Sequence, residues 1–428
     1  MSPQVKDKKD LLRFVTAGSI DDGKSTLIGR MLYEAKGIYK DKMASIEDIA
    51  RSRGDEVDLS LLVDGLKSER EQGITIDVAY RYFSTLKRKF IIADSPGHVQ
   101  YTRNMVTAAS TADLAVVLVD ARKGVLEQTK RHSFIATLLD IPHILLVVNK
   151  MDLVDYSQEV YEEIKKDYFS FSSRLKIHDI QAMPISALKG DMVVERGNNM
   201  DWFEGRTFLQ YLENVNIVSD RNLIDFRFPV QTVIRPDLDF RGYAGRIESG
   251  VISVGNDIAV LPSGKKSHVK SIVTYDEELE EAFSPQSVVI TLEDEIDISS
   301  GDMLVRQRNV PKIKTEFEAE ICWMTEEKMV EGGRYLIKHT SNTVTAILKE
   351  LRYKIDINTL HRQEADELGL NEIGRVIIKT QQPLMIDPYT RNHSTGSFIV
   401  IDELTNTTAG AGIIWYSSSP LPEQPKEE

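Results

Sequence analysis

Two textures of apolar and polar positions divide this chain. From Leu12 to about Asn216, short β-branched runs alternate with stretches that read as helices. The pattern predicts strands at 12–18, 76–84, 89–94, 114–120, 143–149 and 181–185, and helices at 24–32, 101–111, 128–139 and 159–170. Strand–helix alternation of this kind makes a mostly parallel sheet wrapped by helices. The runs 114–119 and 144–148 are almost wholly apolar, so both of their faces are expected to be covered. Near Phe226 the texture changes to short strands separated by Gly, Pro, Asp and Ser, at 228–234, 243–249, 257–261 and 269–275. A second such stretch begins at Pro311, with strands expected at 317–323, 335–340, 343–356, 374–380 and 412–415. Closely spaced turn signals of this sort point to small barrels or sandwiches. The expected architecture is an α/β P-loop domain over 1–222, all-β barrel domains over 223–310 and 311–417, and a disordered tail over 418–428.

The length of 428 residues suits two or three cores. No apolar run reaches the eighteen or so residues a membrane helix needs, and 1–14 lacks the apolar centre of a secretory signal. One cysteine, Cys322, excludes an intrachain disulfide and suits a cytoplasmic protein in which it is simply buried. The net charge of −13 argues against a nucleic-acid partner, and the eight scattered histidines offer no zinc-ligand spacing. The acidic clusters 277–281 and 293–295 read as solvated hairpin tips.

The segment Gly18-Ser19-Ile20-Asp21-Asp22-Gly23-Lys24-Ser25 fits G-x-x-x-x-G-K-[ST] and lies between a predicted strand and a predicted helix. Glycines let successive backbone N–H groups face phosphates, and the helix start adds a positive dipole end. Lys24 would neutralise the β- and γ-phosphates and the Ser25 hydroxyl would hold Mg²⁺, with Thr26 completing the loop. Alone, the motif indicates only a nucleoside triphosphate. Three further signatures follow in order. Asp94-Ser95-Pro96-Gly97 closes a strand, its carboxylate placed to reach Mg²⁺ through a water and its glycine amide to bond the γ-phosphate. Asn149-Lys150-Met151-Asp152 closes another; the Asp152 carboxylate can accept from guanine N1–H and N2–H₂, a donor pair that adenine lacks. Ser186-Ala187-Leu188 completes the pocket with a backbone amide to guanine O6. A strand-ending Asp by itself is more often a turn or cap residue. Four such signatures in order, each at the carboxyl end of a strand, point to a guanine-nucleotide site. Thr75, in 69–77, can supply a hydroxyl to Mg²⁺, although an ordinary strand threonine would look the same.

These motifs resemble the translation-factor class of GTPases typified by elongation factor Tu. The resemblance covers almost the whole chain and implies a G domain followed by two β-barrels. It assigns Thr75 to closing over the γ-phosphate, His98 to aligning the attacking water, and Ile20 and Ile74 to an apolar gate beside that histidine. Within the class, the strings GSIDDGKSTLIGRMLYEAKGIYKD, VDGLKSEREQGITIDVAYRYFST and TGSFIVIDELTNTTAGAGII are most similar to the GTPase subunit family of heterodimeric bacterial sulfate adenylyltransferase. That resemblance implies a smaller catalytic partner of the ATP-pyrophosphatase type, which forms adenylyl sulfate and pyrophosphate while GTP hydrolysis helps drive the reaction.

Some positions depart from these patterns. Ser19 and Asp22 stand where translation factors commonly carry His, and Ile401 stands where tRNA-carrying members have an Arg. Losing that phosphate contact favours a protein that carries no tRNA over the alternative, a translation factor delivering tRNA or pairing with a release factor. Ser95 and Val99 replace the Thr and Glu usual in the sulfate family, and Val99 borders His98. Nothing after the first phosphate loop resembles a second one, so an adenylyl sulfate kinase domain is not expected here.

Overall fold

The computed structural model describes residues 10–34, 78–96, 102–175, 177, 179–217, 222–236, 240–356, 359 and 361–415. The expectations for Ile74, Thr75, Gly97, His98, Val99, Tyr101 and the tail 418–428 lie outside the described residues. Two compact units divide the chain, Met1–Ser219 and Asp220–Glu428.

The first unit is built on β1 (Leu11–Ala17), β2 (Ala79–Ser84), β3 (Lys89–Asp94), β4 (Leu114–Asp120), β5 (His143–Asn149) and β6 (Asp179–Pro184). Their order in the sheet is β2-β3-β1-β4-β5-β6. All neighbours are parallel except the edge pair β2–β3. The two continuous apolar runs are the central strand β4 and its neighbour β5, and every residue of β4 is buried. Helices α1 (Lys24–Glu34), α2 (Thr102–Ala109), α3 (Glu127–Leu138) and α4 (Gln158–Ser172) occupy the predicted crossovers. The Ser157 hydroxyl caps α4 by accepting from the Val160 amide. Helix α5 (Phe208–Asn214) has no counterpart in the sequence reading. Thr207 and Gln210 start it with a reciprocal capping box, and Phe208 and Leu212 are buried.

The second unit holds two closed barrels. The first runs β7 (Arg227–Ile234), β8 (Gly242–Arg246), β9 (Val251–Ser253), β10 (Asp257–Leu261), β11 (Lys265–Val273), β12 (Glu278–Leu279), β13 (Glu281–Phe283), β14 (Ser287–Leu292) and β15 (Met303–Arg306). Six of these strands circle in the order β10-β15-β7-β8-β14-β11, and a β10–β11 pairing closes the ring. Closure leaves no open edge among the six. The second barrel uses β16 (Lys312–Trp323), β17 (Met329–Val330), β18 (Arg334–His339), β19 (Asn342–Ile355), β20 (Arg362–Gln363), β21 (Glu367–Leu368), β22 (Ile373–Ile386), β23 (Ser397–Asp402) and β24 (Thr408–Trp415). Its ring is β18-β23-β24-β16-β22-β19, closed by β18–β19. Each barrel has its own apolar centre, around Phe226, Phe228 and Ile290 in one and Trp323, Ile378 and Phe398 in the other.

Several strands are longer than the sequence pattern indicated. Strand β16 begins at Lys312 rather than Phe317, since its first five residues are exposed and show no apolar alternation. Strands β13 to β15 and β23 went unassigned in the sequence reading. The first acidic cluster does flank a turn, the one joining β11 to β12 (Thr274 bonds Glu277). Residues 293–295 instead lie in the long connection from β14 to β15, where Asp294 accepts from the Ser267 hydroxyl. Cys322 is buried, and burial pushes its thiol up to about 12. No described helix is long and apolar enough to cross a membrane.

Candidate functional site

Strands β3, β1, β4 and β5 are neighbours and run in one direction, so the segments after Asp94, Ala17, Asp120 and Asn149 emerge together at one end of the sheet. The 18–25 loop, the 94–96 segment, the 149–152 segment and the 186–188 loop are therefore brought into one neighbourhood by topology alone. Open α/β sheets place ligands at this end.

The phosphate loop is tightly tied. Lys24 is buried at the start of α1, and its ammonium donates to the Gly18 and Ser19 carbonyls, 2.9 Å each. Burial pushes its pKa down, against the attraction of Asp94, Asp22 and Asp21. Asp21 sits at φ 65°, in the left-handed region. The buried Asp22 carboxylate accepts from the Ser19 amide at 2.6 Å. Burial raises the Asp22 pKa, with Lys24 opposing. Its second oxygen Oδ1 and the Ser19 hydroxyl are buried with no hydrogen-bond partner among the described residues. Gly23 lies at φ +90°, and a Cβ there would approach the Asn149 amide nitrogen to 2.4 Å. Both the turn and the close approach require glycine. Ile20 is partly exposed at the loop's tip, Ser25 and Thr26 are half-buried on the first turn of α1.

Neighbouring strand ends are pinned to this loop. The Thr16 hydroxyl donates to Asp94 at 2.9 Å, and the Ser95 hydroxyl donates to the Thr16 carbonyl at 2.6 Å. Ser95 thus ties β3 to β1, a structural role for the position where Thr is usual. Pro96 follows it, buried.

The 186–188 loop is tied to the 18–25 loop through Asn149. Asn149 donates from Nδ2 to the Asp22 carbonyl (2.8 Å), while its Oδ1 accepts from the Ala187 amide (3.0 Å). Lys150 adopts φ 64° and Met151 opens a short 3-10 turn, Met151–Val154. The Lys150 ammonium lies 3.0 Å from Asp120. The Asp152 carboxylate accepts from the Ser186 hydroxyl at 2.6 Å, and Ser186 in turn accepts from the Lys189 amide at 3.2 Å. Leu188 is half-exposed.

Two participants were missed by the sequence reading. Asp120 ends β4 and accepts from Arg122 Nη2 (2.7 Å) as well as pairing with Lys150. Burial works against its charge, but the Arg122 and Lys150 hydrogen bonds prevail and hold it well below the usual carboxylate range. A signal for it existed: the apolar run of β4 stops at an acid, as the run of β3 stops at Asp94. Arg30, two turns into α1, donates to the Ala187 carbonyl (3.1 Å) and to the Leu188 carbonyl. No motif announces it. His132 on α3 is also buried near Lys24, and burial pushes it down to about 3, with Lys24 and Arg131 adding to the effect. It is therefore neutral. It does not supply a titrating group near pH 7.

Chemically, the described part offers a cationic loop start, unpaired polar atoms at the phosphate end and a carboxylate fixed by a serine at the other. That set suits a purine nucleotide with a charged tail.

The chain matches two known family models. Residues 9–226 match the elongation factor Tu GTP binding domain family, and residues 316–415 match the GTP-eEF1A C-terminal domain-like family. Sulfate adenylyltransferase subunit 1 of Alteromonas mediterranea is 57% identical over 411 residues, covering 95% of this chain and 87% of that protein. The bifunctional enzyme CysN/CysC of Rhodopirellula baltica is 56% identical over 95% of this chain and 64% of its own length. A solved structure of sup35 complexed with GDP aligns over 97% of both chains at 22% identity and a TM-score of 0.44.

Proposed function

This chain belongs to the sulfate adenylyltransferase subunit 1 family of elongation factor Tu-type GTPases, and from that premise we propose that it is the GTP-hydrolysing subunit of a sulfate-activating enzyme. Hydrolysis here would help drive formation of adenylyl sulfate and pyrophosphate from ATP and sulfate on a smaller partner subunit, in the cytoplasm. The observation that carries the nucleotide part is the Asn149 bridge. One side chain holds the phosphate-loop carbonyl of Asp22 and the Ala187 amide together, so a nucleotide spanning them meets a preset span.

In this reading Gly18 to Thr26 cradle the phosphates. Lys24 exchanges the loop carbonyls of Gly18 and Ser19 for phosphate oxygens, which suits a buried ammonium whose hydrogen bonds go to two loop carbonyls. The Ser19 hydroxyl, without a partner among the described residues, fits an anion as a donor, and the space kept open by Gly23 lets the backbone approach closely. Ser25, Thr75 and, through a water, Asp94 would hold Mg²⁺, which supplies charge neutralisation between the β- and γ-phosphates. His98, outside the described residues, would orient the attacking water. Asp152 reads guanine N1–H and N2–H₂, Lys150 lies along the base, and Ser186, Ala187 and Leu188 close over O6. Residues 1–222 form the nucleotide domain in this scheme, and 223–310 and 311–417 the two barrel domains.

The test uses the purified chain with and without its partner subunit. Alone it should bind GTP and make no adenylyl sulfate. With the partner present, yield of adenylyl sulfate should rise with GTP over many turnovers but not with a non-hydrolysable analogue. Equal multiple-turnover yield with the analogue would sink the coupling. Partner-stimulated GTP hydrolysis with no effect on sulfate activation would keep the GTPase and remove its job.

A further inference from the structure

Helix α1 starts at the phosphate loop, and its far end reaches the base loop through two charged side chains one turn apart. Arg30 Nε donates to the Ala187 carbonyl at 3.1 Å, and Nη2 donates to the Leu188 carbonyl. Its Nη1 lies 3.4 Å from Glu34 Oε1. Glu34 packs against Gly190, where a Cβ would come within 2.7 Å of Oε1. Gly190 holds φ +89°, a backbone state that favours glycine.

We propose that Arg30, braced by Glu34, is a positioning residue for guanine selectivity, setting the 186–189 loop from the phosphate-binding helix. The inference rests on the reading of Asp152 and the 186–188 loop as the guanine pocket. The route is explicit. A peptide unit is planar, so fixing the Leu188 carbonyl fixes the Lys189 N–H on the same plane. That N–H donates to the Ser186 hydroxyl oxygen, and the Ser186 hydroxyl donates to Asp152 Oδ1. Fixing the Ala187 carbonyl likewise anchors the residue whose amide is held by Asn149. A guanidinium suits this because its rigid planar fork meets the two carbonyls from Nε and Nη2 while Nη1 faces Glu34, a spread that a single ammonium does not reproduce. Only a quarter or less of either side chain is exposed, although the bond to Leu188 itself lies at the surface.

The experiment measures the affinities of the full-length chain for GDP, IDP and ADP, together with thermal unfolding, in wild type, Arg30→Ala and Arg30→Lys. Inosine lacks the N2 amine that pairs with Asp152, so the GDP-to-IDP ratio reads the set of that carboxylate. Arg30→Ala should weaken GDP about tenfold, the scale of a lost charge-assisted hydrogen bond. The GDP-to-IDP ratio should fall about threefold or more, because IDP depends less on Asp152. Arg30→Lys should lie between the two. A residue that merely supports the fold would lower the unfolding temperature and leave that ratio unmoved. Folded variants whose GDP affinity and GDP-to-IDP ratio stay within about twofold of wild type would overturn the proposal. Should Arg30→Ala fail to fold, Arg30→Lys, which keeps charge and stem but loses the fork, decides the question by the same two readings. A wild type that prefers GDP over neither IDP nor ADP would instead overturn the guanine pocket itself, and the clamp's role with it.

Discussion

The nucleotide site and the joint between the two barrels both bury charge, and they treat it in opposite ways. At the joint, Arg227 is fully buried and uses its whole fork. It donates to Asp387 (2.7 and 3.1 Å), to the Phe226 and Asn309 carbonyls and to the Asn309 side chain. Asp387 also accepts from the Thr395 hydroxyl. A second pair, Asp225 with Arg391, lies beside it at 2.6 and 2.7 Å, and Asn309 donates to Asp225. Apolar packing of Ala259, Leu261, Met303 and Val305 of one barrel with Met385 of the other completes the contact. In the phosphate loop, by contrast, Asp22 Oδ1 and the Ser19 hydroxyl have no partner among the described residues, and Lys24 makes do with two carbonyls. A buried polar group left unpaired costs stability, and a saturated one locks geometry. The joint is built to stay as it is. The loop is built to exchange partners.

That contrast can be broken most severely at the joint. Arg227→Ala leaves Asp387 buried without its cation and should destabilise the protein by about 3–5 kcal/mol, read as a lower midpoint in urea unfolding. GDP affinity of the folded fraction should stay within about twofold. An Arg227→Met, Asp387→Leu double variant should recover much of the stability, because both charges leave together.

Lys24→Ala should do the reverse. Hydrolysis should fall roughly a hundred- to a thousand-fold, the cost of about 2.7–4 kcal/mol for losing a stabilising group at developing charge. The urea midpoint should move little, since a desolvated ammonium is removed along with its two carbonyl bonds. A large loss of stability with hydrolysis retained would erase the distinction between the two regions.

Asp152→Asn sharpens the comparison at the base end. Asparagine presents a donor where guanine presents its N2 amine, so GTP affinity should drop about ten- to a hundred-fold for the loss of a charged hydrogen-bond pair. Affinity for xanthosine triphosphate should rise, because that base carries a carbonyl there. Direct titration with both nucleotides checks it, and an unchanged GTP affinity would remove Asp152 from the pocket.

The smallest effect is in pH. Hydrogen bonds from Arg391, working against burial and aided by Asn222 and Asn309, hold Asp225 well below the usual carboxylate range. Its contribution is present in full above the unfolded carboxylate value near 4 and is lost as pH falls toward its depressed folded value. Asp22 has the opposite sign. Its folded pKa is raised, chiefly by burial, so its cost is present in full above that raised value and disappears as pH falls below the unfolded one. Acid below about pH 4 should therefore weaken the Asp225→Asn variant less than wild type. The Asp22→Asn variant should gain stability relative to wild type at neutral pH. Thermal unfolding across pH reads both.

Much of this was legible in residue order because the physics involved is local. Short β-branched runs and the helical stretches between them place β1 to β6 and α1 to α4 to within a few residues, since both signals lie within a few consecutive residues. The motifs at 18–25, 94–97, 149–152 and 186–188 are contiguous, so their chemistry can be read without a fold. The start of β16 escaped notice because its exposed residues carry no apolar alternation, and the end of β22 because Gln381, Gln382 and Pro383 interrupt the run before the buried Leu384, Met385 and Ile386. Strands β13 and β15 are only three and four residues long, too short to establish a period, whereas β14 is a β-branched run whose signal was present.

What sequence alone determined is therefore the menu: a P-loop sheet, two β regions and the candidate motifs for a nucleotide site. Tertiary structure decided who meets whom. Strand order puts the ends of β3, β1, β4 and β5 side by side, and so recruits Asp120. The crossover of α1 brings Arg30 to carbonyls 157 and 158 residues away. Packing of the two barrels against each other brings Arg227 to Asp387 across 160 residues. Pairings at such distances depend on chain topology and on the burial that makes them strong. Neither is written in any window short enough for periodicity or motif to report.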